Sequence, residues 1–333
     1  MKNIKKLGLT ALAGSLVATS AYSADMAVTG GVELTYTTTS GSTKAGVDGN
    51  QWGFEKGISW SATGEVMGYD VSLATALSDD ASLSSSSLTF DLGDMGKVYV
   101  DHGAGKTGIG GLENKGNVSA YEEADHGMTD MHQIDVNGAT QVLGYSSPSG
   151  MLLEGLSFDV EIIPSIGAQT SNTTAGATSG AGSTGSEWNT AVNYAVPMVE
   201  GLNLYFGYAN ESSDGTRDDD TEMTIGFDYT MGPVKIGYQH SEVEDATAAA
   251  DEVTAYGLNF AVNDDLTVSY SVTENEVKAI GATASSSAEA TGINAAYSVG
   301  GGSLRIFTGE TDNAGYTAGK TQKLTEISLS MSF

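Results

Sequence analysis

Cysteine is absent from the 333 residues, so neither a disulfide framework nor a thiolate metal site is available. Proline is scarce, with four residues. Positive charge is scarce too: 14 Lys and Arg against 42 Asp and Glu leave a net charge of −28. A nucleic-acid partner needs a basic footprint, and that class is excluded. The balance suits an acidic surface, or one that gathers divalent cations. Long apolar runs are missing as well. After Ala24 nothing approaches the roughly 18 to 20 apolar residues of a membrane helix.

The start of the chain carries a different signal. Lys2, Lys5 and Lys6 precede a short apolar run from Leu7 to Ala18, and Ala21 and Ser23 supply a small-x-small pair. This order is that of a secretory leader. It predicts a signal peptide over 1–23 and a single β domain over 24–333.

What fills that domain is alternation. In "MAVTGGVELTY" Met26, Val28, Val32, Leu34 and Tyr36 share one side, with Ala27, Thr29, Gly31, Glu33 and Thr35 opposite. Period two is the strand period. It recurs in "WGFEKGISW", "YDVSLATAL", "SLTFDL", "KVYVD", "QVLGY", "LSFDVEI" and "WNTAVNYAV". The second half adds "LNLYFGY", "EMTIGFDY", "VKIGYQH", "YGLNFAV", "LTVSYSV", "INAAYSV", "LRIFT" and "EISLSMSF". The even count of sixteen fits a closed antiparallel barrel.

The connections alternate in length. "GDMG", "TMGP", "VNDD" and "GGG" are tight turns. Between them fall long ones, including Gly103–Gly138, "SEVEDATAAADE" and the region Thr273–Ser287. One tight rim and one long rim is the pattern of an outer-membrane barrel. Sixteen strands enclose a lumen too wide for side chains to fill. The apolar face therefore points outward to lipid, and closure pairs every backbone group. Tyr36, Trp52, Trp60, Tyr69, Trp188, Tyr208, Tyr229 and Tyr256 suit interfacial girdles. Lys56 breaks the outward apolar set. Two explanations stand: a bulge in its strand, or a wall that faces another protein.

Several pieces resemble the general diffusion porins of Gram-negative outer membranes, nearest the alphaproteobacterial (Rhodobacter-type) branch. They are "AYS" before "AD", "LGDMGKVYVDHG", the pair "GYSSP" and "GLSF" between Gly144 and Phe158, and the final Phe. The resemblance implies an all-β, 16-stranded antiparallel transmembrane β-barrel with an inward-folded third loop. It also implies a homotrimer that passes ions and small hydrophilic solutes, set in outer-membrane lipid and lipopolysaccharide. On this reading Phe333 is the mark read by the outer-membrane assembly machinery. The third loop would be Gly103–Gly138, bringing Glu113, Glu122, Glu123, Asp125 and Asp130 to the pore constriction. Many members carry an arginine cluster opposite, but here the only arginines are Arg217 and Arg305. Lys97, Lys235 and Arg305 point inward by alternation and are the candidates for a thin basic side. An acidic lumen of this kind predicts a modest cation preference.

Other motifs compete. "GAGKTG" (103–108) matches G-x-G-x-x-G, but "IGGLENKGN" after it has no helical stripe to receive a phosphate. Val100 stands where a P-loop needs its first Gly. Asp125, His126, Asp130 and His132 would at most hold an oxygen-rich, calcium-like site, the one cofactor left open. "RDDD" (217–220) reads as a solvated loop tip that would bridge lipopolysaccharide through cations. No catalytic constellation stands out, so no enzyme is expected. A structural or adhesive barrel displaying Ser/Thr/Gly loops remains the alternative. A secreted β-solenoid would need a fixed-period repeat, which is missing.

Overall fold

The structure, a computed structural model, describes residues 25–41, 50–77, 83–102, 108–127, 142–163, 186–212, 220–244, 250–278 and 286–333. The expected leader at 1–23, Asp130, His132 and Arg217 lie outside the described residues.

All sixteen alternating segments are strands. They are β1 Asp25–Gly41, β2 Trp52–Val66, β3 Tyr69–Leu77, β4 Leu83–Asp91, β5 Lys97–His102, β6 Val142–Ser146, β7 Leu156–Ile163 and β8 Ser186–Ala195. The second half holds β9 Leu202–Ser212, β10 Asp220–Met231, β11 Val234–Glu244, β12 Ala250–Ala261, β13 Leu266–Lys278, β14 Ser286–Val299, β15 Gly302–Asp312 and β16 Thr321–Ser332. Each pairs antiparallel with its neighbours in sequence, and β1 pairs with β16, so the sheet closes.

The alternation decides which face each side chain takes. On β10, Ile225 is 53% exposed and Thr224 is fully buried. The same contrast separates Ile293 from Asn294 and Leu329 from Ser328. An apolar face left open and a polar face covered is the reverse of a water-soluble sheet. It is the arrangement that lipid selects. Trp188 and Tyr208 lie 5.5 Å apart, and Tyr36 and Trp52 5.0 Å apart, as paired aromatics at strand ends.

Turns are sorted by rim. Met67–Gly68, Gly232–Pro233 and Gly300–Gly301 each join two strands directly. Gly232 (φ 57°) and Gly300 (φ 58°) supply the left-handed backbone such turns need. The opposite rim holds every longer connection that the sequence marks, including 103–141 between β5 and β6.

Two expectations are corrected. Residues 273–278 and 286–287, read as connection, belong to β13 and β14, and β11 and β12 run on to Glu244 and back to Ala250. Here the face that is apolar lower down carries Glu242, Glu252, Glu274, Glu276 and Glu289. Backbone pairing continues where the apolar–polar contrast has ended, so periodicity loses the strand before the ladder does. The bulge offered for Lys56 is also absent. The β1–β2 register runs unbroken from Asp25↔Thr63 to Tyr36↔Trp52, with Lys56 opposite Val32. Its ammonium lies 5.9 Å from the Phe54 ring centroid, on the outward face.

The seam between β1 and β16 runs from Gly41↔Gln322 to Gly31↔Ser332. Phe333 extends it. Its N–H donates to the Gly30 carbonyl at 2.9 Å, and the Gly30 N–H donates to the Phe333 carbonyl at 2.7 Å. The Phe333 ring covers Gly30, where a Cβ would sit 2.8 Å from its edge. Deleting Phe333 removes both bonds and the ring. The folded fraction after refolding in detergent should fall, seen as less of the compact band on an unheated gel. An unchanged yield would show that the seam closes without it.

Candidate functional site

The connection after β5 is rich in glycine and lacks a helical stripe, so its backbone groups need partners from elsewhere. A short 3-10 turn at Gly108–Leu112 begins the described part. Residues 108–127 then follow the polar face of the barrel wall. The Ile109 N–H donates to Asn189 Oδ1 on β8 (3.1 Å) and the Gly116 N–H to Gln239 Oε1 on β11 (3.0 Å). The Ala120 N–H donates to Ser269 Oγ on β13 (2.8 Å). The Glu122 N–H donates to Asn294 Oδ1 on β14 (3.1 Å), and Asn294 Nδ2 donates back to the Glu122 carbonyl (2.8 Å). Amide and hydroxyl side chains of the wall therefore take the place of a regular ladder.

Apolar pegs and missing side chains complete the fit. Ile109 and Leu112 are buried, Leu112 with Ala191 and Tyr205, Ile109 with Ala209. At Gly237 and Gly257 the segment lies so close that a Cβ would meet the carbonyls of Gly116 and Asn117.

Two cations of the segment meet acids or acceptors of the wall. Lys115 Nζ donates to Asn193 Oδ1 (2.8 Å) and lies 5.4 Å from the Tyr205 ring centroid. Burial lowers the Lys115 pKa, and Asp228 opposes that shift. His126 Nδ1 faces Glu122 Oε2 at 3.2 Å, and Nε2 faces Glu326 Oε1 at 3.5 Å. Burial alone would lower its pKa, but the two carboxylates outweigh that and push it up to about 10. Beside it, the Tyr121 hydroxyl lies 2.7 Å from Glu326 Oε1 and 2.9 Å from Glu33 Oε1. The Arg305 guanidinium stacks 4.2 Å from the Tyr121 ring centroid and bonds Glu33 Oε1 at 2.6 Å. Thr37 Oγ1 donates to the other Glu326 oxygen at 2.7 Å.

Glu122, His126 and Glu326 form a cluster that could be read as a metal site. The imidazole argues otherwise. One ring nitrogen points at each carboxylate, and a single ion can take only one of them. This is the geometry of an imidazolium that donates twice. Nor is the set oxygen-rich enough for calcium.

The candidate residues are dispersed. Glu122 is tied to His126. Glu123 accepts from Asn114 Nδ2 at 3.1 Å, and burial raises its pKa. Asp125 is buried, and Glu113 is half-buried. The basic trio is placed on the polar face, yet each member has an acidic partner. Lys97 lies 3.5 Å from Asp91, Lys235 3.4 Å from Asp228, and Arg305 2.6 Å from Glu33. Among the described residues, each of the three basic candidates therefore faces a carboxylate. Sequence reasoning missed Asn189, Gln239, Ser269 and Asn294, the wall acceptors. Their only signal was an amide or hydroxyl at an inward position of a long strand.

The Gram-negative porin family profile matches residues 8–333. The chain belongs to the Gram-negative porin family. A search of the curated proteins finds no match. Among solved structures, this porin is similar to an anion-selective porin from Comamonas acidovorans, with TM-score 0.61 at 13% identity. That match covers 93% of this chain and 100% of the other. OmpT of Vibrio cholerae matches with TM-score 0.63 at 11% identity, over 94% and 99% of the chains. Salmonella typhi OmpF, solved with daunomycin, matches with TM-score 0.58 at 11% identity, over 92% and 97%. The porin is an outer-membrane β-barrel channel for passive diffusion.

The raised His126 pKa makes a signed prediction. The clasp is at full strength below the ordinary histidine pKa of about 6.5 and is lost as pH rises through about 10. His126→Gln should lower the thermal midpoint by on the order of 1–3 °C at pH 6 and have no effect at pH 11. A difference that grows with pH would contradict the clasp.

Proposed function

We propose that segment 108–127 lies inside the barrel and sets its narrowest section, leaving a water-filled path for ions and small hydrophilic solutes. One observation carries this. The segment's partners on β8, β11, β13, β14, β16 and β1 all sit on the polar face, opposite the exposed apolar one. A chain bonded to that face on walls so far apart in strand order lies within the ring that they close.

The channel weakly prefers cations. Acids outnumber bases throughout the sequence, and the three basic wall residues are each neutralised by a partner. No enzymatic step is part of this reading. The chain is made with a leader over 1–23, and Phe333 serves as its assembly signal. Its relationship within the family is to the alphaproteobacterial branch.

The barrel works as a homotrimer. Lys56 faces outward without a bulge, and Thr75 and Ser86, bonded to each other at 3.2 Å, share that face on β3 and β4. A charge and paired hydroxyls are costly against lipid and acceptable against a second copy. A native mass of one chain per particle in mild detergent would exclude this.

Planar-bilayer recording tests the channel. Stable steps in multiples of three, with a reversal potential of cation sign in a KCl gradient, are expected. Silence from folded protein would favour a structural or adhesive barrel, and an anion-signed potential would defeat the selectivity. The inward segment has its own test. Gly257→Val places a side chain against the Asn117 carbonyl, so the segment should be displaced and single-channel conductance should rise. Unchanged conductance with an intact barrel would place the segment elsewhere.

A further inference from the structure

Several of the charges first assigned to the constriction are tied to neighbours, Lys97 to Asp91, Lys235 to Asp228, Arg305 to Glu33 and Glu122 to His126, so the question is which charge a passing ion meets. Glu65 and Asp70, register partners at the tight-turn rim, are inward carboxylates near Lys97; Glu55, deeper on β2, has no cation near it among the residues that line its crevice. It lies on the inward face, directly opposite Glu33 in the β1–β2 register. Glu33 is held by Arg305 and by Ser328 Oγ at 2.5 Å. Glu55 is exposed and has no hydrogen-bond or ion-pair partner among the described residues.

Its surroundings leave it open. Its same-face neighbours along β2 are Gly53 and Gly57, and Gly57 pairs with Gly31 of β1. A Cβ at Gly57 or Gly31 would touch only a backbone carbonyl, at 3.8 and 3.7 Å. These glycines floor a crevice of about 560 Å³ beside the β1–β16 seam. Ser298, Ser303 and Ser330 line its other side. The inward face of β8 to β16 is different: Asn189, Ser271, Asn294 and Thr311 there are buried.

From this we infer that Glu55 is a specificity-determining residue of the channel, and that the crevice is a lane that inorganic and small organic cations follow. An unpaired carboxylate on a low-dielectric wall focuses the local potential and enriches cations beside it. The serine hydroxyls and glycine carbonyls offer oxygens in exchange for hydration water, and weakly enough for release. The inference rests on the channel reading above.

The test is a reversal-potential series on the full chain in planar bilayers under a KCl gradient. Glu55→Gln should reduce the cation-to-anion permeability ratio at least about twofold. Glu289→Gln removes the same charge from the outward face of β14 and should leave the ratio as it was. Because the chain has no cysteine, Glu55→Cys gives a single labelling site. A sulfonate-bearing thiosulfonate reagent should restore cation preference, and a trimethylammonium-bearing one should reverse it. An unchanged ratio in Glu55→Gln channels, or equal effects of the two reagents, would overturn the role of Glu55 and leave the channel reading standing. Absence of conductance in the wild-type chain would overturn both.

Discussion

Backbone polar groups in lipid have no water to bond, and this one constraint organises the molecule. A sheet meets it only by having no edge. Here the last edge is removed where β16 meets β1, down to the pair of bonds between Phe333 and Gly30. Closure of sixteen strands then encloses a lumen wider than side chains can fill. The inward positions are thereby freed from packing and become available for amides, hydroxyls and charges.

The same constraint returns where the connection after β5 meets the polar face of the wall. Residues 108–127 form no ladder: the N–H groups of Glu113, Lys115, Asn117 and His126 turn back onto carbonyls of the segment, and those of Ile109, Gly116, Ala120 and Glu122 reach side chains of the wall. The wall answers with Asn189, Gln239, Ser269 and Asn294, one after another in strand order. Buried hydrogen bonds of this kind are expensive to leave unmade, since each lost partner strands a group away from water. The docking also depends on what is missing. Gly237 and Gly257 let backbone meet backbone, and a methyl at either would separate them. Polar satisfaction and close approach act on the same short stretch, so the segment has one seat on the wall.

Much of the fold was legible because lipid imposes a period. Ile225 and Thr224 differ in hydropathy because they differ in surroundings, and sixteen repeats of that contrast make a barrel. The contrast fails above the apolar band. Glu274 and Glu276 look like loop because both faces are polar there, although the strand continues. The site was less legible. Lys97 and Asp91 are register partners across one tight turn, and their pairing was within reach of the sequence. Arg305 and Glu33 are not: they meet only because the first and last strands close. His126 lies between a residue one helical turn earlier and another two hundred positions later, Glu122 and Glu326.

Net charge and field are therefore different quantities in this channel. The sequence totals −28, yet an ion in the lumen does not feel the total. A carboxylate bonded to a guanidinium or an imidazolium presents a dipole whose potential falls faster than that of a lone charge, and salt screens the remainder. Glu33 and Arg305 cancel in this way, as do Asp228 and Lys235. The segment brings Lys115 and His126 to the wall alongside its own Glu113, Glu122, Glu123 and Asp125, so part of its acidic charge is offset within it. What survives such cancellation is set by geometry. On β2, glycines on either side keep Glu55 from acquiring a neighbour, and its charge is left to the water of the lumen.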